Sequence, residues 1–309
     1  MSRRSKIIHP SKAILVWLAL SACAVMQLAC GGGSSPIQTP VASSQPTFSH
    51  VILLVEENHS YSEVIGNSSM PYLNSLAAQY GLATQYYANA HPSLPNYLEL
   101  TTGQMESGLS DTWCCETNDD NVVRELVSAG KTWKAYIESL PPGGFAAPDT
   151  GTYVRRHNPF SYLSDVQNDP TQAANIVDFS QFAADLANNT LPQYSFIVPN
   201  IDDDAHNGSL AWADAWLSAN IAPLINSPAF QSSGLLIITF DEGNQADINH
   251  GGGQVATVIV SSKARKGFKS TNVYQHQSTL RLILAGSGVD HFPGAAAVAP
   301  DMTEFFTTQ

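Results

Sequence analysis

Glu57 and Asn58 stand directly after a run of valine, isoleucine and leucine, and Asp241 and Glu242 stand directly after another. A third apolar run is followed by Asp202-Asp203-Asp204-Ala205-His206, and Ser93 lies inside His91-Pro92-Ser93-Leu94-Pro95-Asn96-Tyr97. Carboxylate oxygens and imidazole nitrogens are ligands for hard or borderline divalent cations. A serine hydroxyl is a weak nucleophile until a base or a metal lowers its pKa. Placed at the start of a helix, it also meets backbone N–H groups and the positive end of the helix dipole, both favourable to a phosphate. Together these residues imply metal-assisted attack of a serine on phosphorus. Each piece alone has a plainer reading. Ser93 could cap a helix, Asp204 or Asn207 could cap the helix that follows them, and His250 in Asn249-His250-Gly251-Gly252-Gly253 could be a surface-loop histidine. Three strand ends and one helix start carrying such groups together outweigh those separate readings.

The elements that would position them follow from periodicity and punctuation. Residues 51–55 form a short continuous apolar run of the kind found in buried parallel strands. Residues 132–137, 194–198, 235–240 and 255–260 read likewise as strands. Helical spacing appears over 70–79, 94–101, 121–129, 179–187, 210–225 and 278–284, with Pro95 in a first turn and Gly130 and Gly286 as stops. Residues 138–177 hold Pro, Gly, Asn and Asp without a clear period and predict a long excursion over the site. Strands alternating with helices imply one α/β domain, a mainly parallel central sheet with helices on both faces. Ligands of open α/β sheets bind beyond the carboxyl ends of the strands, where Glu57, Asp202 and Asp241 fall. Trp212 and Trp216, at i and i+4, read as core packing in preference to a carbohydrate platform.

The N-terminus carries Arg3, Arg4, Lys6 and Lys12 before the apolar run Ala13 to Leu20, the pattern of an export signal over residues 1–22. Leu20-Ser21-Ala22-Cys23 resembles a lipobox, and Cys30 precedes Gly31-Gly32-Gly33-Ser34-Ser35, so either cysteine is a candidate lipidation site. Residues 23–47 read as a flexible tether and 48–309 as a single catalytic domain. The chain is thus expected to be exported, as a membrane-anchored lipoprotein of the periplasm or cell surface or as a secreted protein, meeting a membrane only through a lipid anchor. Loss of the leader takes four of the 14 basic residues and none of the 26 acidic ones, moving the net charge from −12 to −16. That balance argues against nucleic acid as a partner, which needs cationic surface. It also requires a metal to invert the local field if an anionic substrate is to approach. Cys114 and Cys115, adjacent in an exported protein, read as a vicinal disulfide or a pair of loop thiols. The basic stretch 263–269 reads as a solvated loop, and Arg155-Arg156-His157-Asn158 as either a phosphate contact or a source of ion pairs.

Seven segments together carry a family resemblance: Glu56-Glu57-Asn58-His59-Ser60, Met70-Pro71-Tyr72-Leu73, His91 to Tyr97, Arg156-His157-Asn158-Pro159-Phe160, Asp202 to His206, Thr239-Phe240-Asp241-Glu242-Gly243 and Tyr274-Gln275-His276. In this order the chain resembles the phosphoesterase family of bacterial acid phosphatases and phospholipases C, within the alkaline-phosphatase superfamily. The resemblance implies an alkaline-phosphatase-like three-layer sandwich and a metal-bound serine forming a phosphoserine. Carried over by position, Glu57, Asn58, Asp241 and Glu242 are implied as ligands of the metal that activates Ser93. His206 then holds substrate or protonates the leaving group, and His157 and Asn158 contact substrate. Two-metal members of the superfamily suggest a second map, in which Asp202, His206 and His250 form another site. The cofactor is therefore one or two divalent ions, calcium, magnesium, manganese or zinc, with the oxygen-rich set leaning away from zinc. The implied substrates are phosphate-ester small molecules or phospholipids. The reading is a phosphate monoesterase; the alternatives are a phospholipase C-like phosphodiesterase and a non-catalytic surface-binding lipoprotein. Ser93-Leu94-Pro95-Asn96-Tyr97 lacks the arginine that a sulfatase would require.

Overall fold

The central strand, β1 (His50–Glu56), hydrogen-bonds to a parallel neighbour on each side. The computed structural model describes residues 45–307 except 106–109, 113–114 and 145. After β1 come α1 (Tyr61–Val64), α2 (Pro71–Gln79), β2 (Gly81–Ala83), β3 (Tyr86–Tyr87), α3 (Ser93–Thr102), α4 (Val122–Ser128) and β4 (Trp133–Ile137). Then follow α5 (Ser164–Gln167), α6 (Pro170–Ala173), β5 (Ile176–Asp178), α7 (Ser180–Ala187), β6 (Tyr194–Val198), α8 (Leu210–Ile225), α9 (Pro228–Ser233) and β7 (Gly234–Phe240). The chain finishes with β8 (Thr257–Val260), β9 (Lys269–Ser270), β10 (Tyr274–Gln275) and α10 (His276–Gly286).

Eight strands form one sheet in the order β5-β4-β6-β1-β7-β8-β2-β9, and β3 pairs with β10 separately. The run from β5 to β7 is parallel throughout; β8 is antiparallel to both β7 and β2. This is the mainly parallel α/β sandwich anticipated from the alternation of elements. Val51 to Val55 are all fully buried, as a strand covered on both faces requires, and each such side chain contributes about 1.5–3 kcal/mol of burial energy. On the helical layers, α10 packs against α3 and α4, while α2 packs against α8. The last contact includes a cap. Met70 offers α2 no side-chain acceptor, and Asp214 of α8 takes the Tyr72 and Leu73 N–H groups at 2.8 Å instead.

The long apolar strands and helices fall where pattern placed them, whereas β2, β3, β5, β9 and β10 were not anticipated. Those strands are two or three residues long, too short for a period, and tertiary pairing alone defines them. The 138–177 excursion contains β5, α5, α6 and two 3-10 turns, Arg155–His157 and Pro159–Tyr162. Ser209, not Asp204 or Asn207, caps α8 by accepting the Trp212 N–H. Trp216 is buried, packs on Phe179 and donates its indole N–H to Glu138, but Trp212 is 58% exposed. The core-packing expectation therefore holds for one tryptophan of the pair. Cys23, Cys30 and Cys114 lie outside the described residues. No helix among the described residues is long and apolar enough to cross a membrane.

Candidate active site

The backbone ladder continues past the ends of the central strands and draws the acidic segments together. Asp241 N–H donates to the Glu56 carbonyl at 2.9 Å, and Glu57 N–H donates to the Asp204 carbonyl at 2.9 Å. Asn58 follows in the left-handed region at φ 60°, a conformation asparagine tolerates better than most residues. Its N–H donates to Asp241 Oδ1 at 3.1 Å and its side-chain amide to Glu57 Oε2 at 3.1 Å. Glu242 N–H donates to the same Asp241 Oδ1 at 2.6 Å. Asp241 Oδ2 is buried and has no hydrogen-bond partner among the described residues.

Ser93 is the first residue of α3, after a cis His91–Pro92 bond, and is 2% exposed. Its hydroxyl donates to Glu57 Oε2 at 3.2 Å. One turn along the helix, on the same face, the Tyr97 hydroxyl donates to Glu57 Oε1 at 2.7 Å. His91 Nδ1 lies 2.9 Å from Glu242 Oε2, and its Nε2 lies 2.9 Å from the Asp247 carbonyl. A carbonyl only accepts, so Nε2 carries the proton there and fixes the ring that holds Glu242. At the back of the site, His276 Nε2 contacts the Asp241 carbonyl at 2.6 Å and its Nδ1 contacts the Tyr86 hydroxyl at 3.2 Å. Burial pushes His276 down to about 4, so it is a neutral donor that anchors the Asp241 backbone.

The electrostatics are dominated by carboxylates out of water. Burial pushes Asp241 up to about 7, against the opposing influence of the nearby Ser93 hydroxyl and of the Asn58 and Glu242 N–H groups. Burial, then the charge of Asp241, pushes Glu242 up to about 9. Glu57 is raised well above the carboxylate range by burial and by Asp241 and Asp204, with the Tyr97 bond opposing. Behind Glu57, the His157 ring stacks on Tyr97 with Nε2 3.1 Å from Glu57 Oε1 and Nδ1 3.2 Å from Asp204 Oδ2. Such contacts would ordinarily raise a histidine. Burial prevails, holding His157 below the imidazole range and Asp204 above the carboxylate range. The ligand atoms of Glu57, His157 and Asp204 lie within 4.8 Å of one another, close enough to hold a cation. Unpartnered Asp241 Oδ2, beside Glu57, Glu242 and the Asn58 amide, offers a second set of oxygen donors suited to a divalent ion. Both sets fit a metal.

A pocket of about 310 Å³ opens above Ser93, lined by Asn58, Pro92, Ser93, Asp111, His206, Glu242, Asn244 and Gln245. It brings together Ser93, Asn58, Glu242 and His206 of the residues singled out in the sequence, with Glu57 and Asp241 hydrogen-bonded behind them. The remaining candidates lie elsewhere. Asp202 is half-buried at the surface, and Asp204, one turn of the loop later, is the carboxylate that faces inward. Ala205, in the left-handed region at φ 73°, turns the chain between Asp204 and His206 at a cost of about 1–2 kcal/mol. His250 is exposed and packs against Tyr87, the rings tilted at 30° with centroids 4.0 Å apart. His157 and Asn158 are buried beneath the pocket, because the 3-10 turn at Arg155–His157 directs them into the core. Asp111, Tyr97 and the inward role of Asp204 were not singled out; Asp111 sits in Ser110-Asp111-Thr112, where no pattern distinguishes it from a solvated loop.

Comparison with known proteins agrees with this geometry. A profile of the Phosphoesterase family matches residues 67–290. The chain is 35% identical over 297 residues to a phosphatidylinositol-3-phosphatase of Mycobacterium tuberculosis, covering 94% of this chain and 95% of that protein. It is 32% identical over 253 residues to a probable acid phosphatase of Kluyveromyces lactis, covering 79% of this chain and 59% of that protein. In structure it is similar to an alkaline phosphatase superfamily protein from Vibrio parahaemolyticus, with a TM-score of 0.57, 14% identity, and coverage of 85% of this chain and 73% of that one.

Proposed function

The chain belongs to the Phosphoesterase family and is a hydrolase of phosphate esters, and from that premise we propose that it cleaves phosphate monoesters through a phosphoserine on Ser93. The observation that carries the reading is Ser93 at the start of α3, its hydroxyl on Glu57 and its neighbour Asp241 holding a buried, unpartnered oxygen. Glu57, Asn58, Asp241 and Glu242 would hold a divalent cation. When bound, that ion supplies the positive charge that acidifies the serine hydroxyl and offsets the substrate's phosphate charge. Ser93 Oγ gives up its proton towards the carboxylate already accepting it and forms the Oγ–P bond as the P–O bond to the leaving group breaks. Asn58 and Asn244 line the pocket as amide donors for phosphate oxygens. The departing oxygen leaves beside His206 on the pocket wall and takes up a proton there. Water then attacks phosphorus, the P–Oγ bond breaks, and Ser93 regains its proton.

A pocket of this size accepts a phosphorylated headgroup or small metabolite, and an inositol phosphate monoester is the first substrate to try, given the name of the mycobacterial relative. The leader expected over residues 1–22 makes this an exported enzyme, with Cys23 or Cys30 the lipid site if it is anchored. The test is Ser93→Ala, assayed on a chromogenic monoester and its diester with saturating metal. Turnover falling by about 10³-fold or more at unchanged metal content supports the nucleophile. Full turnover of the variant refutes it, and diester-only turnover of the wild type replaces the monoesterase with a phosphodiesterase.

A further inference from the structure

Two features beside Ser93 each call for an anion, and one carboxylate answers both. The N–H of Leu94, the residue after Ser93, points out of the N-terminus of ten-residue α3, where Pro92 offers no side-chain cap. Asp111 Oδ1 accepts it at 3.0 Å. The other oxygen of the same carboxylate, Oδ2, lies 3.5 Å from Arg156 Nε, a buried nitrogen that makes no hydrogen bond of good geometry among the described residues. Arg156 reaches on to His206 Nε2 at 3.4 Å and to Asp149 at 3.4 Å. Asp111 lines the pocket with Ser93, Glu242 and His206, and its charge is close enough to disfavour that of Glu242.

We propose that Asp111 occupies the place of the substrate's phosphate in the resting site, so that every incoming phosphate must displace its carboxylate from the α3 N-terminus and Arg156. The inference rests on the phosphomonoesterase reading above and adds a residue that sets how tightly phosphate is held. Helix N-terminal N–H groups and a guanidinium are the two donors most often used to bind phosphate oxygens. A carboxylate bridging both, within a few ångströms of the nucleophile, competes for the same donors and repels a dianion. The arrangement limits product inhibition as well as substrate affinity, since inorganic phosphate meets the same competitor.

A plain capping role makes a different prediction, and asparagine separates the two. Asp111→Asn keeps an oxygen acceptor for the Leu94 N–H but removes the charge; Asp111→Ala removes both. The measurement is the inhibition constant for inorganic phosphate and the KM for a chromogenic monoester, on full-length, metal-loaded wild type and both variants, with direct phosphate binding by calorimetry. Removal of a like charge from an anion site predicts that the phosphate inhibition constant of Asp111→Asn falls about tenfold or more, with KM falling alongside. An unchanged or raised inhibition constant in Asp111→Asn overturns the proposal, as does a gain confined to Asp111→Ala, which would be an effect of the lost cap. Failure of the Ser93 assignment would show separately, as turnover retained in Ser93→Ala, because phosphate inhibition and calorimetry read binding alone.

Discussion

Replacing Tyr97 by phenylalanine tests whether Glu57 is a ligand whose charge is maintained by its surroundings. The Tyr97 hydroxyl donates to Glu57 Oε1 at 2.7 Å inside a fully buried setting, and it opposes the burial that raises Glu57. A hydrogen bond to a charged group is worth about 1.5–3 kcal/mol net. Without it the carboxylate is harder to ionise, and cation binding, which needs the ionised form, weakens by roughly ten- to a hundredfold. The ring itself remains, so its stacking on His157 at 5.3 Å persists and the fold should hold. The assay is turnover against free metal concentration in a chelator buffer. The expected result is a half-saturating concentration shifted up by that factor, with turnover recovered at high metal. A half-saturation point unchanged within about twofold would refute the argument that this bond sustains Glu57 as a ligand. Turnover still lost at saturating metal would refute it too, and would make Tyr97 part of the chemistry.

Two further outcomes follow from the same geometry. In metal-free protein the raised carboxylates keep protons that the unfolded chain has released, so stability should fall as pH rises above the ordinary carboxylate range, through about 7 for Asp241 and towards about 9 for Glu242. The slope is at most about 1.4 kcal/mol per pH unit for each group; melting temperatures in chelator from pH 5 to 9 check it, saturating metal should flatten the fall, and a rise with pH would contradict it. Asp202→Asn and His250→Asn should each keep turnover and metal content within about twofold of wild type, as surface substitutions outside the pocket lining do. Asparagine suits the φ of 54° at position 250, and a loss of metal in either variant would restore the two-site map that includes them.

The parts of the fold readable from sequence are those in which a side-chain pattern repeats often enough to have a period. The 194–198 strand and the 210–225 helix coincide with their expected bounds because five and sixteen residues respectively carry the signal. β2 and β9 could not be read, since three and two residues carry none and their pairing is decided by neighbours far along the chain. The candidate site divides in the same way. Ser93, Glu57, Asn58, Asp241 and Glu242 are found by their position relative to a strand or helix end, which local sequence reveals. Asp111 reaches Leu94 from 17 residues away, and His157 reaches Glu57 from a hundred, through loops whose course depends on packing. In Asp202-Asp203-Asp204 the sequence offers three equivalent carboxylates; the fold turns the third inward, where it accepts the His206 N–H and faces His157.

The pair Glu56-Glu57 shows the same limit at its sharpest, because two identical adjacent side chains have opposite fates. Successive residues of a strand face opposite sides of the sheet. Glu57 turns towards Ser93, Tyr97 and His157, where hydroxyl donors support its charge and a cation can bind. Glu56 is equally buried, but both its oxygens lack a hydrogen bond among the described residues. Burial raises it well above the carboxylate range, and the neighbouring charges of Asp204, Asp214, Asp203 and Glu138 raise it further. An ionised carboxylate without a partner at zero exposure would cost several kcal/mol, so Glu56 stands as a neutral acid. The doublet thus divides into one residue that faces the site and one silent neighbour, and the end of β1, which falls between them, tells them apart where residue type does not. An enzyme with Glu56 replaced by glutamine, of like size and already neutral, should therefore keep its metal, while Glu57→Gln should lose it.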